Sequence, residues 1–191
     1  VLDVLDMQLV QYGSALIQRR QTFAEELGEI VHRIHSQLSG GQEEMELKYE
    51  PNVTEDAFAQ MLFANRERDM RLKTTATGPH RDDISFVVNG VDIRKFGSQG
   101  QQRTAALSLK LSEIELVKRL IGDTPVLLLD DVLSELDSGR QNYLLNSIEN
   151  IQTLITCTGL DEFVNHRFSI NRIYKVTDGS VTVENKQEAD R

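Results

Sequence analysis

The chain predicts an α/β fold: a layered, mostly parallel sheet with helices, preceded by a helical arm. Three observations carry that expectation. The run Val126-Leu127-Leu128-Leu129 ends in Asp130-Asp131, four apolar residues and then two acids, the pattern of a buried parallel strand whose C-terminal end bears charge. Helical patterns at 99–121 and 138–148 bracket that strand, and an apolar segment at 153–157 follows, so strands and helices alternate. Residues 1–76 instead hold two long helical patterns and one short strand, which places a boundary between an arm at 1–76 and the α/β portion at 77–191.

The elements follow in order. Residues 6–39 form the first expected helix, because Leu16, Phe23, Leu27, Ile30, Ile34 and Leu38 fall seven, four, three, four and four apart. Gly40-Gly41 stops it. His32 and His35 lie three apart on it; with no third ligand nearby they read as solvent-facing helix residues, not a metal pair. Glu46-Leu47-Lys48-Tyr49-Glu50 alternates as a short strand closed by Pro51. Thr54 caps a second helix running to about Lys73, with acids in its first turn, Phe58, Met61 and Leu62 as its core, and Arg66, Arg68 and Arg71 late, where cations suit the helix dipole. After the loop Gly78-Pro79-His80-Arg81-Asp82-Asp83, Asn89-Gly90 between apolar runs at 84–88 and 91–94 signals a hairpin. Gly122 ends the helix at 99–121 and Pro125 introduces the diacid strand. Cys157 closes the next strand as a small core residue, Asp178-Gly179 joins a second hairpin from 172–176 to 181–184, and residues 185–191 are a polar tail.

Composition narrows the function classes. With 39% hydrophobic and 27% charged residues over 191 positions, the chain suits one large domain or two small ones. No apolar stretch approaches membrane-spanning length, and the first residues lack the basic flank of a signal peptide, so no membrane partner is expected. The lone Cys157 excludes an internal disulfide framework and fits a reducing cytoplasm. Val1 in place of Met leads us to expect a piece of a longer protein. The net charge of −9 is unevenly spread: Phe63 to Lys110 holds nine Lys/Arg against five Asp/Glu, and the rest twelve against twenty-five. A basic zone in an acidic body can attract a polyanion, and a helix with mixed solvated charge explains the count as well. Arg68, Arg71 and Lys73 are candidates to neutralise nucleic-acid phosphates; Arg66 reads as a partner of its neighbours Glu67 and Asp69. His80 and Arg81 suit either DNA contact or loop anchoring.

The chemistry-bearing residues point to nucleotide. Asp130 and Asp131 at a strand end suit a phosphate-bound Mg²⁺, one carboxylate holding the metal through water and the next orienting an attacking water. A helix cap or a structural ion pair is the plainer reading of the same pair. Gly97-Ser98-Gln99-Gly100-Gln101-Gln102-Arg103 opens a helix with a glycine-rich turn, where backbone N–H groups, the dipole and the Ser98 hydroxyl favour phosphate. No Gly-x-x-x-x-Gly-Lys-Ser/Thr loop occurs in the chain, so half of a triphosphate site is missing from it.

Ser98-Gln99-Gly100-Gln101, then Leu127 to Asp131, then Ser134-Glu135-Leu136-Asp137 is similar in order to the signature motif, Walker B strand and D-loop of ABC-type ATPase heads. More narrowly, Gly78 to Asp83 and Phe96 to Leu107, with Gln8 to Gly13 and Ser39-Gly40-Gly41, resemble the RecF family of bacterial recombination mediators over essentially the whole chain, as its C-terminal half. The resemblance implies ATP and Mg²⁺ as cofactors of the full-length protein and an ATP-dependent homodimer. It implies that Ser98, Gln99, Gly100 and Gln101 meet the γ-phosphate held by the opposite subunit. Asp130 would support Mg²⁺ through water, Asp131 would stand where many heads carry a catalytic Glu, and Asp137 would communicate across the dimer. It further implies a clamp on double-stranded DNA near single-strand/duplex junctions, and cooperation with RecR in loading RecA at gaps, hence roles in DNA repair, replication and the SOS response. Where many heads place a switch histidine, this chain has Thr156-Cys157-Thr158. A transporter or chromosome-structure ATPase is the first alternative, disfavoured by Gln99, by the absent histidine and by a first helix too short for long heptads; a non-enzymatic DNA-binding scaffold is the second.

Overall fold

A computed structural model of the chain describes residues 1–158 and 170–184; the expected polar tail at 185–191 lies outside them. Two compact units divide the chain, Val1–Leu127 with Asn150–Gln152, and Leu128–Glu149 with Thr153–Arg191.

The first unit is built on α1 (Leu2–Leu38), a 37-residue helix that ends in the turn Ser39-Gly40-Gly41, both glycines at positive φ. Its buried face runs through Ile17, Ala24, Leu27, Ile30, Val31, Ile34 and Leu38. Leu16 and Phe23, expected on that face, are 42% and 43% exposed, which corrects the sequence reading. The neighbour decides: α2 (Glu55–Leu72) meets α1 at Gly13 through the Phe58 ring, so the face holding Gly13 and Ile17 is the one covered. Ile17, Val53, Phe58 and Leu62 form the resulting core cluster. Met61, adjacent to that stripe on α2, is 45% exposed and not core. Thr54 has the extended backbone of an N-cap without a side-chain cap bond, and Lys73 closes α2 in the left-handed region at φ 53°.

β1 (Met45–Glu50) pairs antiparallel with β2 (Asp83–Val88) from Met45↔Val88 to Glu50↔Asp83, and β2 with β3 (Val91–Asp92) across Asn89-Gly90. Both turn residues have positive φ, as a two-residue hairpin requires. β3 stops at Asp92, short of the expected 94. The Asp92 carboxylate accepts from the Arg94 N–H at 3.0 Å and caps a one-turn helix, α3 (Ile93–Phe96). α4 (Gln99–Ile121) lies along α1 and ends at Gly122, φ 73°. Its buried stripe alternates Leu107, Leu111 and Ile114 with Thr104, Ser108 and Ser112. Each of those three hydroxyls donates to the carbonyl four residues earlier, which satisfies it locally.

β4 (Leu127–Asp130) crosses from the first unit into the second and pairs with β5 (Thr153–Thr156). The Leu127 N–H donates to Gln152 O and the Asp131 N–H to Thr156 O, so both chains advance together and the pair is parallel, as expected. The expectation of a fully buried strand is corrected: Leu127 and Leu129 are buried, but Leu128 is 71% exposed, so among the described residues one face of β4 is open. Leu133, Leu144, Leu145 and Ile148 are buried in this unit, the middle two on α5 (Ser138–Ser147). Cys157, just past β5, is half-buried. β6 (Ile173–Thr177) and β7 (Ser180–Glu184) form the second expected hairpin, its Asp178-Gly179 turn at positive φ.

Candidate functional site

The tip of α4 is shaped by its own first residues. Ser98 Oγ accepts the Gln101 N–H at 3.2 Å, and Gln101 Oε1 accepts the Ser98 N–H at 3.0 Å, a reciprocal capping box. Gln102 Nε2 donates to the Ile93 carbonyl at 2.9 Å and ties the helix start to α3. A Cβ at position 97 would lie 2.6 Å from the Ile93 carbonyl oxygen, so only glycine fits this entry to the helix. Gln101 Nε2 donates to Glu43 Oε1 at 3.0 Å. Ser98, Gln99 and Gly100 are exposed and Gln101 is half-buried. The capping box consumes the Ser98 and Gln101 amides; those of Gln99 and Gly100, on exposed residues, have no hydrogen-bond partner among the described residues and lie at the positive end of a 23-residue helix, which suits an incoming phosphate.

Behind the tip, sequence reading is corrected at His35. It is fully buried, with Nδ1 3.0 Å from Ser108 Oγ and Nε2 3.1 Å from Glu43 Oε2. Its companion His32 bonds through Nδ1 to the Met45 carbonyl, 3.2 Å away. A polar ring is accepted at this buried position because both of its nitrogens find partners.

The acid pair is a second constellation. Asp130 closes β4, and Asp131 turns the chain through the left-handed region at φ 50°; both are exposed. Thr156 at the end of β5 donates its hydroxyl to Asp130 Oδ1, and its Oγ1 lies 3.1 Å from the Asp131 N–H, which also reaches the Thr156 carbonyl at 3.2 Å. Ser134 Oγ approaches the Asp131 carbonyl at 2.9 Å and its Oδ1 at 3.0 Å. Thr156 is a residue that sequence reasoning weighed only as a stand-in for a missing histidine; its parallel neighbour strand makes it the partner of both acids. Asp137 caps α5, accepting from the Arg140 N–H at 3.0 Å and from Arg140 Nη1 at 2.6 Å. That amide bond, with the guanidinium beside it, holds the Asp137 carboxyl below the usual carboxylate range.

The cations separate into bound and open ones. Arg66 pairs with Asp3 at 2.6 Å and Asp6 at 3.1 Å on α1, not with Glu67 and Asp69 as expected. Asp69 instead accepts the Ala76 N–H at 3.2 Å and closes the turn after α2. Arg68, Arg71, Lys73 and Arg81 are exposed, with no acid at ion-pair distance among the described residues. His80 Nε2 bonds to the Thr75 carbonyl at 2.8 Å, so this residue anchors its loop. Sequence reading missed the hub next to it. The Asp82 side chain is 2% exposed and takes Arg20 Nη1 at 2.9 Å, the Asn52 N–H at 3.0 Å and the Tyr49 hydroxyl. Burial, then the bond to Asp82, pushes the Tyr49 phenol up to about 12.

These motifs sit on the fold of an ABC-type ATPase head, in its signature-bearing half. The chain is 59% identical to the DNA replication and repair protein RecF of Lachnospira eligens over 96% of its own length and 51% of that protein's. It is 60% identical to RecF of Agathobacter rectalis over 95% of its length and 50% of that protein's. Among solved structures, the recombination mediator RecF with ATP, in the RecFOR pathway, superposes at a TM-score of 0.83 with 34% identity, covering 96% of this chain and 50% of that one. No protein-family model matches the chain. The chain is similar to the C-terminal half of these RecF proteins, and it spans about half the length of the curated relatives it matches.

Proposed function

We propose that the chain supplies the signature half of an ATP-dependent DNA-binding protein of recombinational repair, acting in the cytoplasm. In this reading ATP bound to one full-length protomer is closed over by the α4 tip of a second. The open amides of Gln99 and Gly100, with the Ser98 hydroxyl, face its γ-phosphate, and Gln101, whose backbone and side-chain amides are taken up by Ser98 and Glu43, holds the tip in shape rather than meeting the phosphate directly. The observation that carries the reading is that exposed, doubly capped tip in a chain similar to a mediator solved with ATP. ATP thereby links two protomers and binds their pair better than either alone, which couples assembly to nucleotide.

The residues fit Mg²⁺. Asp130 and Asp131 offer hard carboxylate oxygens at an exposed strand end, and no cluster of three His, Cys, Asp or Glu occurs among the described residues, so such an ion would rely on water and phosphate for most of its shell. Bound there, Mg²⁺ would neutralise phosphate charge. Thr156 fixes the Asp130 carboxylate, and Ser134 holds Asp131, the residue we assign to orient the attacking water. Asp137, the N-cap of α5, serves contact between protomers. Arg68, Arg71, Lys73 and Arg81 offer charge to duplex DNA near single-strand junctions, where RecR is the expected protein partner; His80 holds that loop in place.

The test is Ser98→Arg in the full-length protein. A guanidinium stem at the tip blocks the trans phosphate sterically, and sedimentation with ATP is expected to show monomer alone, with circular dichroism unchanged. An unaltered dimer population refutes the assignment.

A further inference from the structure

The tip of α4 is tied to the far end of α1 by an unbroken polar chain. Ser98 N–H donates to Gln101 Oε1, Gln101 Nε2 donates to Glu43 Oε1, Glu43 Oε2 meets His35 Nε2, and His35 Nδ1 meets Ser108 Oγ back on α4. The Ser108 proton is committed to the Thr104 carbonyl at 2.7 Å, so the network assigns Nδ1 as the donor to Ser108 and leaves one proton between Nε2 and the Glu43 carboxylate. Glu43 is itself held from behind: its N–H donates to Ser39 Oγ at 3.2 Å, in the turn that Gly40 and Gly41 permit. The Gln101 amide can face only one way in this network, nitrogen to the carboxylate and oxygen to the Ser98 amide.

We propose that Glu43, oriented by the buried His35, is the positioning residue of the signature tip: it sets the Gln101 amide and with it the direction of the Ser98 and Gly100 groups offered to a partner's nucleotide. This rests on the trans-nucleotide reading above. Without the carboxylate, the Gln101 side chain regains rotamer freedom, the capping box opens, and the tip must be ordered again each time two protomers close.

The full-length protein is compared with Glu43→Ala, Glu43→Asp and Glu43→Gln, following the ATP concentration at half-maximal association by sedimentation, nucleotide binding to the monomer by fluorescence, and the melting temperature. Glu43→Asp keeps the charge and withdraws it by one methylene, so it decides the matter if the alanine variant does not fold. Both are expected to need about tenfold more ATP to associate, the size of one lost charge-assisted hydrogen bond, with monomer binding unchanged. Glu43→Gln keeps an oxygen for Gln101 and offers an N–H₂ to His35 Nε2, and should restore association to within about threefold of the parent. In the folded variants, amide exchange at Ser98 should accelerate in Glu43→Asp and Glu43→Ala and not in Glu43→Gln. Normal association in Glu43→Asp while Ser98→Arg abolishes it overturns this inference alone, as does failure of Glu43→Gln to restore it. Normal association in Ser98→Arg as well overturns the reading beneath and this inference with it.

Discussion

Asp131 holds a left-handed backbone, φ 50°, at the exit of β4. Asp and Asn tolerate that region better than other side-chain-bearing residues, so Asp131→Asn removes the charge with little backbone penalty. In the full-length protein this variant should bind nucleotide normally and release phosphate slower by on the order of a hundredfold, the share of a positioned base. Equal turnover in a steady-state phosphate assay would remove Asp131 from the catalytic role. Tyr49 carries a different signature. Its phenol is raised from 10.0 to about 12, first by burial and then by its bond to Asp82. A raised pKa means the protonated form is favoured in the fold, so its contribution is whole below about pH 10 and is lost as pH climbs toward about 12. Thermal melts of Tyr49→Phe should lose less stability than the parent across that alkaline interval. Parallel curves would show that the phenol proton matters little to the loop.

At the scale of elements, α1 and α2 meet through Gly13, where an added Cβ would fall 2.3 Å from the Phe58 ring. Phe58 is 2% exposed and boxed in by Ile17, Val53 and Leu62, so the ring cannot swing aside. Gly13→Ala gains about 1 kcal/mol of helix propensity and meets an overpacking cost of about 1–3 kcal/mol. We expect net loss of stability in denaturant melts, relieved by adding Phe58→Leu; a more stable Gly13→Ala single variant contradicts the packing. The same contact explains what was legible in the sequence. Helix α4 was readable to the residue because its stop and start are local, Ser98 with Gln101 at one end and Gly122 at the other. The hairpin turns at Asn89-Gly90 and Asp178-Gly179 were readable for the same reason. The buried face of α1 was not, since Leu16 against Ile17 is decided by where Phe58 arrives from. His35, Asp82 and Thr156 escaped for a related cause: each takes its role from partners far along the chain, and periodicity carries no such information. Of the candidate site, the motifs were visible and their supports were not.

Across the whole molecule, charge is segregated, and the segregation predicts how it meets nucleic acid. The chain carries −9 overall, yet Phe63 to Lys110 runs to nine cations against five acids. Within that zone Arg66 is spent on Asp3 and Asp6, and Arg94 on Asp83 at 3.0 Å, so neither offers much to a phosphate. Arg68, Arg71 and Lys73 have no such partner among the described residues and cluster at the C-terminal end of α2. If they neutralise DNA phosphates in the full-length protein, each releases bound counterions, and affinity falls with salt in proportion to their number. Replacing all three by alanine should reduce the slope of log affinity against log salt by about 3 for duplex DNA, with little dependence on sequence. Replacing Arg66 alone should leave that slope unchanged and lower stability instead, because it frees Asp3 and Asp6. Titrations of duplex, tailed and single-stranded DNA at several salt concentrations separate the two effects. A triple variant with the parent's slope makes the end of α2 a bystander, and the basic zone would then be only the solvated face of a helix.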